Sequence, residues 1–505
     1  MIWPELVRLA LLGGERGTLT PELRQKLESY GIQTDSPFPE VLLESAALFN
    51  QIRKAAFQLE DFEGSLPEPI TESDEQTCSP RSTAHLFAIL DGRFAPALEE
   101  FLYHLKENGK KIPNETLPVL LNASLEDDEL WELLRPVLGK QGEWLLEQWP
   151  PWGKLKGVQT IKDWNLTPLQ DRRAYLKYLR ADNPEKALEL LKVHWDSLKA
   201  GDKFPLLKTL ELNLSGKDEL FLEQLLDERS KKLRLEAAKL LSGLGNSALI
   251  ERLFLALLDF VHISDNAINF DLPENLPEST LRDGIHPVPL KESGGGMKAA
   301  WLRQITSRIP PRRWSELIDK DPAECLSFFL NNRWSDQLLP AIAEAALLHN
   351  DEEWMAAILE HGMTNGFNHD IPSNLLKGMM KKLPREAIIS LAEYGSEVLP
   401  RLVENKSIFF LLLTNNKEAW TDKVSIWLLQ NFKDWMRNQK QGFGNLEHYR
   451  DLIQAGTYSI NPALTEKFKI GWPTNNTTWY YWEDAIDKMI RTLNFRRDMV
   501  KSLRG

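Results

Sequence analysis

The sequence predicts an all-α chain: a helical-repeat array in its middle, flanked by N- and C-terminal helical regions. Three observations carry that expectation. Apolar residues recur at spacings of three and four through most of the chain, the pattern that lines one face of an α-helix. Polar turns built on Pro, Gly, Asn and Asp punctuate those stretches. Between Pro168 and Val261 no period-two alternation of the strand type occurs.

The elements follow in order. Trp3, Leu6, Val7, Ala10 and Leu11 form a first apolar stripe, with Pro4 suited to a first turn and Gly13-Gly14 to a stop. Thr20-Pro21 offers an N-cap followed by proline, Leu23, Leu27 and Tyr30 line one face, and Gly31 suits the C-cap. A third helix is expected from about Pro39 to Leu59. From Asp61 to Pro80 the chain carries six acidic residues and no basic ones, which reads as an exposed linker. Helical pattern resumes over 84–90, 95–106, 117–121, 128–138 and 143–148, with Gly139 and Gly142 as punctuation.

The most regular part spans 165–261. Within it, LDERSKKLRLEAAKLLSGLG (226–245) resembles the second half of a HEAT repeat: Asp227 at the inter-helix turn, Arg234 early in the next helix, then Ala237, Ala238, Leu240 and Leu241 facing inward. Small alanines let helices approach closely, and Asp227 is placed to cap a helix and to pair with an arginine of a neighbouring unit. Periodicity stops over 262–296, where Pro273, Pro277, Pro287, Pro289 and Gly294–Gly296 crowd together; this span reads as a linker. A C-terminal helical region follows over 297–505, with segments near 299–308, 322–330, 337–348, 352–360, 373–381, 386–393, 424–436 and 482–493.

Bulk properties narrow the function classes. At 505 residues the chain exceeds what one core serves, and its 42% hydrophobic and 27% charged content is that of a folded globular protein. A net charge of -12 opposes non-specific binding to phosphate backbones or anionic lipid. Two cysteines, Cys78 and Cys325, match neither a disulfide framework nor a zinc site and suggest a reducing compartment. Glu5 and Arg8 interrupt the opening apolar run, so it is not read as a signal peptide, and the apolar stretch Ile408–Leu413 is too short to span a bilayer. The expectation is a cytoplasmic protein without a membrane partner.

No residue cluster defines a reaction. Phosphate-loop, dinucleotide-binding, HExxH, GxSxG and CxxC patterns are all missing from the sequence. SerGlyGlyGlyMetLys (293–298) lacks phosphate-loop spacing and reads as a hinge. His361, His369 and Asp370, with His349 and Asp351 upstream, match no metal-ligand spacing. Basic clusters at Lys231-Lys232-Arg234, Arg312-Arg313, Lys381-Lys382-Arg385 and Arg496-Arg497 would line a nucleic-acid groove or form solvated helix faces. Of the 17 tryptophans, Trp144, Trp195, Trp301 and Trp427 fall on apolar stripes, whereas Trp149-Trp152 and Trp479-Trp482 are the surface candidates. Accordingly no catalytic, cofactor-binding or metal-ligating residue is assigned, and no cofactor is expected.

Four segments together resemble an uncharacterised bacterial family of helical proteins: WPELVRLALLGGERG at the start, LRPVLGKQGEWLLEQWPPW at 134–152, LDERSKKLRLEAAKLLS in the middle, and ArgAspGlyIle at 282–285. Members resemble HEAT-repeat proteins and are typically encoded beside a MoxR-type AAA+ ATPase, a von Willebrand A-domain protein and a SWIM zinc-finger protein. The resemblance implies a noncatalytic scaffold or adaptor in such a system, and it supplies no catalytic residues. A nucleic-acid-binding array is the alternative. The interaction candidates are Glu15, Arg16, Trp149, Trp152, Lys231, Lys232, Arg234, Arg282 and Asp283, with a salt bridge holding loops together as the structural reading of Glu15-Arg16 and Arg282-Asp283.

Overall fold

The computed structural model describes residues 2–13, 17–55, 67–68, 70, 77–156, 161, 163–264, 267–275, 278–286, 296–366, 371–399, 402–438 and 447–504. They are mostly helical, with one two-stranded antiparallel sheet. Among them no helix is long and apolar enough to cross a membrane. The chain divides into two compact units, Met1–Pro69 and Ile70–Gly505.

In the first unit, helices Ile2–Leu12, Pro21–Ser29 and Phe38–Ala55 surround a small core of Leu9, Leu23, Leu27, Ile32 and Val41. The second helix starts as its sequence dictates: Thr20 Oγ1 accepts from Leu23 N at 3.2 Å, and Pro21 opens the helix. Gly31 follows its end at φ +85°, the left-handed conformation that glycine adopts without strain. The expected first stripe is corrected. Leu6 and Leu9 point inward, while Val7 and Leu11 are exposed. That helix is apolar almost all round, so the helix it packs on, Phe38–Ala55, selects the buried face. The expected acidic linker lies mostly outside the described residues.

The second unit has two hydrophobic clusters. One joins helices Pro80–Leu90, Leu98–Glu107, Leu117–Ser124 and Gly139–Gln148 to the last turns of the C-terminal helix Trp479–Arg504 through Met499, Val500 and Leu503. Arg496 fastens this junction: its Nε and Nη2 bind the two carboxylate oxygens of Glu100 at 2.6 and 2.9 Å, and Nη1 donates to the carbonyls of Thr457 and Ile460. Gly142 is not punctuation. It lies inside a helix against Leu138, whose side chain occupies the place of a Cβ.

The other cluster runs from Trp164 to Leu493. Many of its later helices pack on the next but one, among them Pro322–Leu330 on Glu352–Asn365, Ser335–Leu348 on Ser373–Lys382, and Tyr449–Ser459 on Trp479–Arg504, whereas Met297–Thr306 passes over two helices to pack on Ser335–Leu348. Trp482, expected at the surface, is 3% exposed and meets the Phe432 ring edge-on at 5.0 Å. The exposed aromatics beside it are Tyr480 and Tyr481.

The span read as a linker opens instead on a hairpin. Strands β1 (Val261–Ser264) and β2 (Ala267–Phe270) pair antiparallel, with Val261 opposite Phe270. Ile268 and Phe270 are buried, the latter against Trp314, and helix Pro322–Leu330 packs on β2. A short helix, Glu278–Arg282, then leads into the turn that carries the site described next.

Candidate anion-binding cleft

Two turns far apart in sequence meet here. The first precedes helix Lys231–Ser242, whose N-cap Ser230 makes no side-chain cap hydrogen bond. Arg234 Nη1 instead donates to the carbonyls of Glu228 and Arg229, at 2.7 and 3.0 Å, and so ties the turn to the helix that follows it. The expected inward face holds: Ala237, Ala238, Leu240 and Leu241 are all buried.

The second turn is Arg282-Asp283-Gly284-Ile285. Gly284 has φ +82°, and a Cβ there would lie 2.9 Å from Ala238 Cβ. Glycine is therefore required twice over, by the left-handed backbone and by the close approach to an alanine-faced helix. Arg308 holds the turn from behind, donating to the carbonyls of Asp283 and Gly284 at 2.5 and 3.0 Å. Burial pulls its guanidinium down to about 10, only partly offset by the Asp283 charge.

Between the turns lies an ion-pair network. Arg282 binds Asp227 through Nε and Nη2, at 2.9 and 3.0 Å, and reaches Glu223 Oε2 through Nη1 at 3.3 Å. Arg252 grips Asp283 through Nε and Nη2, at 2.9 and 2.6 Å, and also donates to Glu223 at 3.0 Å. The Arg282 hydrogen bond holds the Asp227 carboxyl below its usual range. Hydrogen bonding to Asp283, ahead of the opposing effect of burial, raises the Arg252 guanidinium. The sequence reading of Asp227 is half right. It pairs with an arginine of a neighbouring element but does not cap the helix.

The meeting leaves a cleft of about 190 Å³ lined by Lys231, Arg234, Arg282 and His286 over Leu235 and Ile285. Burial, then the charges of Lys231 and Arg308, lowers the His286 imidazole from its ordinary value. Its backbone N–H is anchored on Gln304 Oε1 at 2.8 Å. Among the described residues Lys231 has no carboxylate partner and Arg234 is held by backbone carbonyls, so these two cations line the cleft without a paired acid, whereas Arg282 is paired with Asp227 and Glu223. A larger depression, about 560 Å³, lies between Gly362–Gly366 and Leu402–Phe409, but among the described residues it gathers only Glu404 and Lys406 as charged groups.

Three sequence candidates, Lys231, Arg234 and Arg282, thus come together. Lys232 does not join them: its Nζ lies 3.7 Å from the Phe204 ring centroid. Asp283 is buried behind the cleft, committed to Arg252. Trp152 packs against the cluster around the end of the C-terminal helix, whereas Trp149 is 52% exposed; their rings meet edge-on at 6.3 Å, and Trp152 Nε1 donates to Asn122 at 2.8 Å. Glu15, Arg16, His369 and Asp370 lie outside the described residues. Among the described residues no group of three or more His, Cys, Asp or Glu is placed to hold a metal.

At least one member of each remaining basic cluster is paired with an acid. Arg496 is sequestered on Glu100, Arg497 pairs with Glu466, Arg313 with Glu251 and Lys381 with Glu129. Sequence reasoning missed Arg252, Arg308 and Glu223, because single charges within or just beyond helices carry no motif; only the ArgAspGlyIle segment signalled the turn they serve.

The chain belongs to a family of unknown function, DUF5691, whose model matches residues 5–503. No curated protein and no solved structure matches it.

Proposed function

For this member of DUF5691 we propose a noncatalytic adaptor role, in which a HEAT-like helical-repeat array holds an acidic surface of another protein. The packing of helices from Pro322–Leu330 onward, most of them on the next but one, supports the repeat reading, since stacked helix pairs bury their faces on their neighbours in this way. The cleft of Lys231, Arg234, Arg282 and His286 carries the functional reading: an ion-pair network fixes it in advance, and it keeps unmatched positive charge on a chain whose net charge is -12. The family resemblance points to a cytoplasmic partner from a MoxR-type ATPase and A-domain system, accompanied by a SWIM zinc-finger protein.

The test is affinity purification of the tagged full-length chain, with nuclease treatment and matched salt controls, followed by mass spectrometry. Stoichiometric recovery of an AAA+ ATPase or A-domain protein, reduced by Lys231→Glu, supports the adaptor. Recovery of nucleic acid alone, released by moderate salt, replaces it with the nucleic-acid reading.

A further inference from the structure

We propose that the cleft between helix Lys231–Ser242 and the Arg282–His286 turn is a single-oxyanion site, taking one carboxylate or phosphate-type group. The adaptor reading enters only as the source of that group, an acidic or phosphorylated side chain of the partner.

Four observations converge on it. The donors come from two elements: Lys231 and Arg234 from the start of one helix, Arg282 and His286 from a turn about 50 residues later. The cavity, about 190 Å³, falls below the ~300 Å³ at which drug-sized ligand pockets begin, so it suits one charged group and not a nucleotide.

Charge balance is the third. The nearby acids are already committed: Asp227 and Glu223 to Arg282, Asp283 and Glu223 to Arg252. Arg308, buried beneath the Gly284 lining, donates to backbone carbonyls and makes no hydrogen bond to a carboxylate among the described residues. Its charge is opposed by that of Asp283, but that carboxylate is already gripped by Arg252, so the two guanidiniums share one acid and positive charge is in excess beneath the turn. Fourth, helix Lys231–Ser242 starts without a side-chain cap and its first residue lines the cleft, so the positive end of the helix dipole favours an anion there.

The geometry also explains why the cleft stays open. Arg234 is held by the carbonyls of Glu228 and Arg229 and Arg282 by Asp227, so neither folds across it. Lys231, exposed and without an acid partner among the described residues, is the mobile donor that would close on a bound group.

Isothermal titration of the full-length protein with inorganic phosphate, then acetate, at constant low ionic strength tests this. The expected result is saturable 1:1 binding of at least one anion, weakened about tenfold by Lys231→Gln (~1.4 kcal/mol) and unchanged by Lys232→Gln on the Phe204 side. Lys231 is exposed, so unchanged far-UV circular dichroism and melting are expected of both variants. Phosphate preferred tenfold over acetate assigns a phosphoryl group; comparable binding assigns a carboxylate. Absence of saturable binding, or equal loss in both variants, overturns the site. Loss of the site with partner capture intact leaves the adaptor standing, whereas anion binding with no captured partner removes the adaptor and keeps the site.

Discussion

Arg180 is the most deeply committed charge among the described residues, and nothing in its local sequence marks it. Its guanidinium and the Asp218 carboxylate are each about 1% exposed, paired at 2.9 and 3.0 Å. The remaining N–H groups donate to the carbonyls of Pro184, Leu210, Leu212 and Asn213. Removing one partner strands a buried charge, so Asp218→Ala is expected to cost roughly 3–5 kcal/mol. A lower urea midpoint at unchanged m-value would register it; a midpoint within error of wild type would contradict it. Gly284→Ala is expected to lower the melting temperature through a loss of about 1–2 kcal/mol for the left-handed backbone alone, plus the contact with Ala238.

Titration belongs to the same scale. Burial lowers His349, which is half-buried with Nε2 2.7 Å from the Arg308 carbonyl, below its ordinary value of 6.5. Burial lowers His85, His104 and His361 likewise. Above pH 6.5 the folded and unfolded rings are both neutral. Below it the unfolded ring takes a proton that the folded ring resists, so stability falls as pH drops and levels off once the folded ring titrates too. Denaturant melts from pH 7.5 to 5 should show this decline, and His349→Gln should flatten it.

Individual elements were more legible than residues. Helix Pro322–Leu330 and the starts of Glu352–Asn365 and Ser373–Lys382 lie where proline, aspartate and apolar spacing place them. Tyr449–Ser459 escaped notice because Gly456 and its polar residues dilute the stripe, and burial of Tyr449 and Leu452 against neighbours supplies what propensity lacks. The hairpin escaped because four-residue strands are too short to establish alternation. The C-terminal helix extends well beyond its expected end, and its last turns belong to a different cluster from its first. Glu100→Gln is therefore expected to speed amide exchange across 80–155 and leave 169–258 protected; uniform protection would show that the Arg496 clasp contributes little.

For the whole molecule, connectivity sets the constraints. Among the described residues, the first unit's core uses only residues within 2–49, and the clusters of the second begin at Cys78. A chain beginning at Ile70 is therefore expected to keep its helical signal and a cooperative melt, measured by circular dichroism; a molten, non-cooperative transition would refute it. In the second unit, Leu155 packs with the cluster around the C-terminal helix while Trp164 begins the other. Nine residues reach at most roughly 30 Å, so the start of that cluster is tethered near the last turns of the C-terminal helix.

Sequence alone determined the helical class, several helix starts and the inward alanine face at 237–238, because capping chemistry and period 3.6 are local properties of a chain. It also singled out Lys231, Arg234 and Arg282 as charged residues worth testing. Tertiary structure alone decided that these three share one cleft while Lys232 and Asp283 do not, that Arg496 is a buried clasp, and which face of the first helix is inside. Each of those outcomes depends on what a side chain meets dozens to hundreds of residues away, and that information is carried by packing and charge compensation between elements.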